Sequence, residues 1–277
     1  HRDLHSFPTR RSSDLYSVPA FAHLPQILGQ DRARLSKRHG ATGVMEYRDQ
    51  GYLPDALINY MARLGWSCGD QEFFRKSELI QAFTLDHVNK SAAVFDPQKL
   101  QWLNGEHIRA LDIDSLSRHF TDYIRHKGYL GDDTEEILGN HALIKKIVTC
   151  TQIRAKTLEE MYQKVTFLFV KGKYSFEEKE IQKSFTPEIM NAIHDLATFV
   201  KAHINENLTH EQWEPSFNEI VQKHGIKMRH FAQAVRLALT GASVTPPIFD
   251  VIDLLGMERV NRHLQDILEL DIPTPLS

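Results

Sequence analysis

The sequence has very little cysteine and no long apolar run. Of its 277 residues two are cysteine, Cys68 and Cys150, too few for a disulfide framework or a four-thiolate zinc site. That usage fits the reducing cytoplasm. No stretch of about 18 uncharged apolar residues occurs, so no transmembrane helix is expected; runs such as residues 167–170 have the size of core segments. Neither sign of charge is in excess. Lys and Arg number 33 against 36 Asp and Glu, for a formal net charge of -3, a balance that hides any local basic patch and leaves nucleic acid open as a partner. Neither a Walker pattern nor G-x-G-x-x-G occurs, and alternating strand patterns are scarce. What is present, 42% apolar and 25% charged residues, is the make-up of a soluble globular chain. It excludes a wholly disordered or collagen-like one. The length suggests about two domains, each able to bury its own core.

Residues 1–15, HRDLHSFPTRRSSDL, have no apolar h-region, so they are not a secretory signal, and they show no periodicity. The stretch resembles one translated frame of a common sequencing-library adapter. On that reading residues 1–15 are an artefact, and the native sequence starts near Tyr16, inside a longer reading frame; a natural disordered arm is the alternative. The stretch carries three basic and two acidic residues, so the remainder has a formal charge of -4.

From Tyr16 to Gly43 the sequence reads as loop, interrupted by the apolar piece Gln26-Ile27-Leu28. After it the pattern is helix upon helix, and the fold class is mainly α. Leu53, Ala56, Leu57, Tyr60, Met61 and Leu64 recur at the spacing of one helix face, with Pro54 in the first turn and Gly65 at the end. Asp96-Pro97 caps a helix that carries Leu100 and Leu103 inward and is expected to end at Gly105. Thr157 and Glu160 form a capping-box pattern ahead of Leu158, Met161, Val165, Leu168 and Phe169. Thr186-Pro187 opens a helix with Ile189, Ile193, Leu196 and Val200 inward, and Pro215 is expected to start another with Phe217, Ile220 and Val221. A further helix runs from Met228 to about Leu239 and stops at Gly241; two more follow Pro247 and Met257, separated by Gly256. A domain boundary is expected near Asp112–Leu116, and the tract 172–184 as a solvated connection. Trp66, Trp102 and Trp213 are expected to anchor packing, Met228 and Phe231 to be core residues, and both cysteines to be inert. Among the histidines His119, His126 and His141 lack ligand spacing, so no metal site is expected.

The stretch that carries chemistry runs from His23 to Gly40. It places Arg32, Arg34, Lys37 and Arg38 within seven positions, beside glycines and Ser36. Such a loop can hold polyphosphate: lysine supplies a mobile charge, while Ser and backbone N–H groups donate hydrogen bonds. By composition alone the signal is weak, since a basic loop is usually a solvated face.

The order of residues says more. Arg34-Leu35-Ser36-Lys37-Arg38 resembles the Lys-Met-Ser-Lys-Ser signature loop of class I aminoacyl-tRNA synthetases. The Ser-Lys-Arg ending, followed by His39-Gly40-Ala41, is similar to bacterial glutamyl-tRNA synthetases. The likeness extends through Phe21–Pro25, Gly51–Tyr60, Leu64–Trp66, Val88–Asp96, Lys99–Asn104, Val235–Gly241 and Leu254–Gly256, nearly all of Tyr16–Leu268.

That resemblance implies a glutamate–tRNA ligase, here a C-terminal half. The implied architecture is the end of a nucleotide-binding, Rossmann-type catalytic domain with signature loop and stem-contact region over 16–113, then an all-helical anticodon-binding domain over 114–277. The implied chemistry joins glutamate to ATP as glutamyl-adenylate and then acylates tRNA. Negative charge builds on the departing pyrophosphate, where a cationic loop stabilises the transition state above the ground state. Lys37 matches the signature's second lysine and is the leading catalytic candidate; Ser36, Arg38 and Leu35 shape the loop. Arg34 stands where the signature has its first lysine, a departure because the two side chains are not equivalent at a mobile phosphate contact. Gln26 and Ile27 fall where the family's backbone borders the adenine of ATP. ATP with Mg²⁺ is substrate, with no metal site in this chain. Arg154 and Arg236 are the candidates for reading splayed anticodon bases; as alternatives, Arg154 is a plain surface residue and Arg236 an ion-pair or capping residue.

The implied partners are tRNA(Glu) and glutamate, in a cytoplasmic monomer; whether tRNA(Gln) is also charged stays open. The first signature, His-Ile-Gly-His, is absent, so the polypeptide alone is expected to be inactive. The alternative is a non-catalytic anticodon-binding module. A glutaminyl-tRNA synthetase is disfavoured because that relative reads the anticodon with β-barrels, and a paralogue without an anticodon domain because about 160 residues follow the boundary.

Overall fold

The computed structural model describes residues 23–36, 43–129, 134–170, 174, 183–206, 208–242 and 244–270. The described elements, in order, are β1 (Ile27–Leu28), α1 (Val44–Asp49), α2 (Pro54–Gly65), α3 (Lys76–Ala82), β2 (Ala93–Val94), α4 (Pro97–Ala110), α5 (Ile113–Lys127), α6 (Thr134–Gly139), α7 (His141–Thr151), α8 (Leu158–Val165), α9 (Pro187–Ala202), α10 (His210–His224), α11 (Met228–Thr240), α12 (Ile248–Leu255) and α13 (Met257–Leu268). Short 3-10 turns at Leu85–His87, Gln152–Arg154 and Thr166–Leu168 join some of them. Among the described residues no helix is long and apolar enough to cross a membrane. The chain divides into two compact units, residues 1–40 with 59–96 and residues 41–58 with 97–277; α2 contributes to both.

The smaller unit is built on a two-stranded parallel pairing, Ile27 opposite Ala93 and Leu28 opposite Val94. Its core is Trp66, Phe74 and Leu79. Tyr60 meets Phe95 edge-on at 5.3 Å, and its hydroxyl donates to the Asp96 carbonyl. Buried Asn59 holds the irregular segment after α2: its Oδ1 accepts from the Phe74 N–H at 2.8 Å and its amide donates to the Glu72 carbonyl. The burial of α2 follows Leu53, Ala56, Tyr60 and Leu64; Met61, expected on that face, is 46% exposed, on the same side of the helix as Ile58 at 47%.

The larger unit is helical throughout its described residues. α5 packs on α7, α9 on α10 and α13, and α11, α12 and α13 on one another, with α12 also on α7. One continuous core includes Phe120, Ile147, Met161, Ile193, Phe217, Phe231, Val235 and Leu264; Met228 is packed against it. The caps follow residue chemistry. The Thr157 hydroxyl accepts from the Glu160 N–H at 3.1 Å, while the Glu160 carboxylate reaches one residue further back, to the Lys156 N–H at 2.7 Å. Asp112, in the stretch read as a boundary, caps α5 by accepting from Ser115.

Three expectations are corrected. Gly105 does not end its helix: α4 runs to Ala110. A Cβ there would stand 3.3 Å from the movable Arg109 guanidinium and 3.4 Å from Lys156 Cγ, so the glycine lets those side chains lie close without being required for it. Pro215 does not start a helix but lies inside α10, which begins at His210 under a capping box of Thr209 and Gln212. The missing N–H is tolerated because Glu211, whose carbonyl loses its partner, is exposed and keeps water. Trp102 is 41% exposed and anchors little, whereas Trp66 and Trp213 are buried. Most of the tract 172–184 lies outside the described residues, as do residues 1–15.

Gly51 follows α1 at φ +80°, and a Cβ there would fall 2.5 Å from the Glu159 backbone nitrogen. Its carbonyl accepts from the Leu158 N–H at 2.9 Å. Gly51→Ala therefore combines left-handed strain with a backbone clash. We expect a loss of at least about 2 kcal/mol of stability, read as a lowered urea midpoint with an unchanged slope; an unaltered midpoint would contradict this packing.

Candidate functional site

Two arrangements carry the candidate residues, one in each unit. In the smaller unit the chain leaves β1 and doubles back. The Gly29 N–H donates to the Ala33 carbonyl at 2.8 Å and the Arg32 N–H to the Gly29 carbonyl at 2.9 Å. Asp31 closes the turn by accepting from the Ala33 N–H through its carboxylate, the usual role of an Asx side chain in a tight turn. Arg32 takes φ 61° there, a conformation that costs a non-glycine residue about 1–2 kcal/mol. The returning segment lies antiparallel to β1: Leu28 bridges Arg34, and the Leu35 N–H donates to the Ile27 carbonyl at 2.9 Å. On its other side β1 pairs with β2, where the Ala93 N–H donates to the Gln26 carbonyl and the Phe95 N–H to the Leu28 carbonyl.

The turn thus gathers Gln26, Ile27, Arg34 and Leu35, all of them residues that the family resemblance singled out. Arg32, Arg34 and Ser36 are exposed, so the cationic groups face outward at the end of a backbone-locked hairpin. Lys37 and Arg38 lie outside the described residues.

In the larger unit, the C-terminal half of α7 and the turn after it present Lys146, Thr149, Cys150, Ile153 and Arg154 toward Asp250, Asp253 and Leu254 of α12. Together they line an open cleft of about 450 Å³. Lys145 pairs with Asp114 at 2.7 Å and Lys146 with Asp253 at 2.7 Å. Arg154 is exposed, and its neighbour Ile153 is 75% exposed. A bare isoleucine next to a guanidinium is a surface on which a flat, partly charged group can lie. Cys150 lines the same cleft; burial first, then the nearby Asp250 carboxylate, pushes its thiol up to about 12.

Arg236 does not line this cleft. It sits half-buried on α11, its Nη1 donating to Gln233 Oε1 at 2.8 Å, and burial lowers its pKa from the usual guanidinium value. Its Nε–H has no hydrogen-bond partner among the described residues.

Sequence reading missed that the α7 residues form one lining. The signal was present: Lys146, Thr149, Cys150, Ile153 and Arg154 recur at helical spacing, but the stripe mixes charge with apolar groups and so resembles neither a core face nor a solvated one. The described residues hold no group of three His, Cys, Asp or Glu able to hold a metal ion.

Residues 114–268 match the family model described as an anticodon binding domain. Residues 14–102 match the model described as tRNA synthetases class I (E and Q), catalytic domain. The chain belongs to this class I synthetase family.

Within the family it is similar to glutamate–tRNA ligases. It is 44% identical over 253 residues to that of Geotalea uraniireducens (strain Rf4), and 43% identical over 253 residues to that of Desulfosudis oleivorans. Each match takes in 91% of this chain and 52% of the relative. Among solved structures, the glutamate tRNA ligase of Elizabethkingia meningosepticum in complex with its amino acid is 26% identical. It covers 92% of this chain and 52% of that one, with a TM-score of 0.71. The chain thus spans about half the length of the curated relatives it matches.

The geometry around Cys150 makes one chemical prediction. A thiol held near 12 has very little thiolate at pH 8. Cys150 should therefore stay unmodified by iodoacetamide in the folded chain and react fully in urea, as followed by peptide mass spectrometry. Rapid alkylation of Cys150 without denaturant would count against a thiol held protonated in this cleft.

Proposed function

We propose that this chain is the signature-loop and tRNA-binding part of a glutamate–tRNA ligase. The reading rests above all on the α7–α12 cleft, which offers an exposed guanidinium and an exposed apolar side chain within the segment that matches the anticodon binding domain. Arg154 and Arg236 are the residues assigned to the anticodon. Stacking and hydrogen bonds from guanidinium planes suit unstacked single-stranded bases. The substrate RNA is tRNA(Glu); tRNA(Gln) is a second acceptor that charging assays on both RNAs would decide. The boundary between the catalytic part and the anticodon-binding domain is put at residues 113 and 114, just inside the Asp112 cap.

The reaction proposed for the whole enzyme is attack of glutamate on the α-phosphate of ATP, with release of pyrophosphate, followed by acyl transfer to the terminal ribose of tRNA. ATP brings Mg²⁺ with it as substrate. Lys37 supplies charge to the β- and γ-phosphates as they depart. Arg34, fixed beside β1, adds a second cation, and Ser36, Arg38 and Leu35 shape the loop. Gln26 and Ile27 present backbone beside the adenine. The residues fit this role in one respect that does not depend on Lys37: backbone hydrogen bonds hold the turn, and Arg32 and Arg34 are exposed on it. The enzyme is taken to be a cytoplasmic monomer.

The 277-residue polypeptide by itself lacks His-Ile-Gly-His. We propose that it binds tRNA without activating glutamate, which makes a non-catalytic anticodon-binding module its operational description. Two measurements test this. ATP–pyrophosphate exchange by the purified chain, with glutamate and tRNA present, should be absent; measurable exchange would overturn the inactivity. Arg154→Ala should weaken binding of a tRNA(Glu) anticodon stem-loop about tenfold, and an unchanged affinity would remove Arg154 from the interface.

A further inference from the structure

The hairpin that follows β1 holds one residue that its own backbone disfavours. The Arg32 N–H donates to the Gly29 carbonyl at 2.9 Å and the Gly29 N–H to the Ala33 carbonyl at 2.8 Å. That is the hydrogen-bond pattern of a three-residue hairpin loop, whose last loop residue is left-handed and by default glycine. Arg32 fills that position at φ 61°, and among the described residues no other non-glycine residue has a positive φ. The turn does not need an arginine to close, because Asp31 Oδ1 already accepts from the Ala33 N–H at 2.9 Å. The Arg32 side chain is exposed and makes no hydrogen bond or ion pair among the described residues. Its backbone strain is therefore not offset by any side-chain contact there. Arg34, two residues on, is likewise exposed and without an ion pair among the described residues.

We propose that Arg32 is a phosphate contact in its own right, outside the signature-like residues Arg34–Arg38, and that it acts with Arg34 on an anion of closely spaced charges. This role rests on the signature-loop reading and adds a residue to it. Strain kept where glycine would remove it points to a use for the side chain, and the lack of a partner in the hairpin puts that use on a ligand. Guanidinium forks match phosphate oxygens in pairs. A monoanion would occupy one of the two arginines and leave the other unmatched, whereas a run of phosphates occupies both. The ligand chemistry is thus the phosphate oxyanion, and its two sources are the triphosphate of ATP and the backbone of RNA.

Both sources are probed on the 277-residue chain. Inorganic tripolyphosphate is titrated by calorimetry, and a short RNA hairpin without a glutamate anticodon is followed by fluorescence anisotropy across a salt series. Arg32→Gly should weaken at least one probe about threefold. Where RNA is the source, the slope of log Kd against log salt should also fall by about one. A loss for tripolyphosphate alone assigns the triphosphate, a loss for RNA alone assigns the backbone, and a loss for both assigns the shared chemistry. Arg32→Lys, which keeps the charge, should restore most of the affinity. Hydrogen exchange at the Gly29 and Leu35 amides, read by NMR, should be no faster in Arg32→Gly than in the unaltered chain, because glycine suits the position. Weaker binding accompanied by faster exchange shows a purely structural role and overturns the proposal, as does unchanged affinity for both probes. Lys37→Ala separates this outcome from failure of the signature-loop reading. If Lys37→Ala weakens tripolyphosphate binding while Arg32→Gly weakens neither probe, the signature-loop reading stands and the Arg32 contact falls. If neither probe binds the unaltered chain, or Lys37→Ala changes neither affinity, the signature-loop reading falls and the Arg32 contact falls with it.

Discussion

One buried amide ties together segments of the helical unit that lie far apart in sequence. Asn104, on α4, accepts from the Leu53 N–H at 2.8 Å and donates to the Lys156 carbonyl. The first partner precedes α2, and the second precedes α8. Neither group can reach a helical partner where it stands, and an unpaired buried group of this kind costs about 1–3 kcal/mol. The amide therefore dictates where residues 43–58 lie against the helices that follow residue 97. Gly105 beside it lets the Lys156 stem come close. Gln152 completes the joint by donating to the Ile108 and Leu111 carbonyls at 2.9 Å, which satisfies the open end of α4.

From that joint the arrangement spreads outward. Asp49, at the end of α1, is gripped from α5: Lys127 Nζ donates to its carbonyl, the Tyr123 hydroxyl oxygen lies 3.0 Å from that carbonyl, and His126 meets its carboxylate at 2.6 Å. Tyr123 and Tyr129 both donate to Glu159. Burial would raise the Glu159 pKa, but these hydrogen bonds, with one from Gln163, hold it below the usual carboxylate range. The tyrosines respond in the opposite direction. Burial and the adjacent carboxylate push Tyr129 up to about 12 and Tyr123 higher still. The network is a polar counterpart to the apolar core, and it fixes α8, hence the turn that carries Arg154, with directional contacts that leucines could not supply.

What could be read beforehand was whatever depends on a few neighbouring residues. Thr157 and Thr186 declared their caps because a hydroxyl at the N-cap has one job, and Gly241 declared a helix end through its left-handed turn. Pro215 and Gly105 misled because each residue type has two uses. A proline begins helices but also survives inside one where its orphaned carbonyl is wet; a glycine stops helices but also admits a neighbour. Context distant in sequence decides between them, here the Thr209–Gln212 box and the Lys156 side chain. The same holds for the sites. The hairpin at Gly29–Leu35 is local, yet the sequence showed it only as loop, and its assigned role rests on the family resemblance. The α7–α12 cleft pairs residues about a hundred positions apart, such as Lys146 and Asp253, and no single-sequence pattern joins them.

The net charge, at first sight a poor match to RNA binding, follows from the same geometry. An acidic total of -3 would repel a polyanion if it were spread evenly. It is not spread evenly along the cleft. Lys145 and Lys146 are each matched by a carboxylate at 2.7 Å, whereas Arg154 makes no ion pair among the described residues. Exposed pairs contribute little to stability, about 0–1 kcal/mol, so those two lysines are muted at small cost and the balance in the α7–α12 cleft is set by Arg154 against Asp250, which meets His210 at 3.3 Å. Screening over roughly 8 Å at physiological salt keeps acidic residues elsewhere on the surface from cancelling Arg154. A chain can therefore carry a negative total and still present a strand of RNA with a local positive charge.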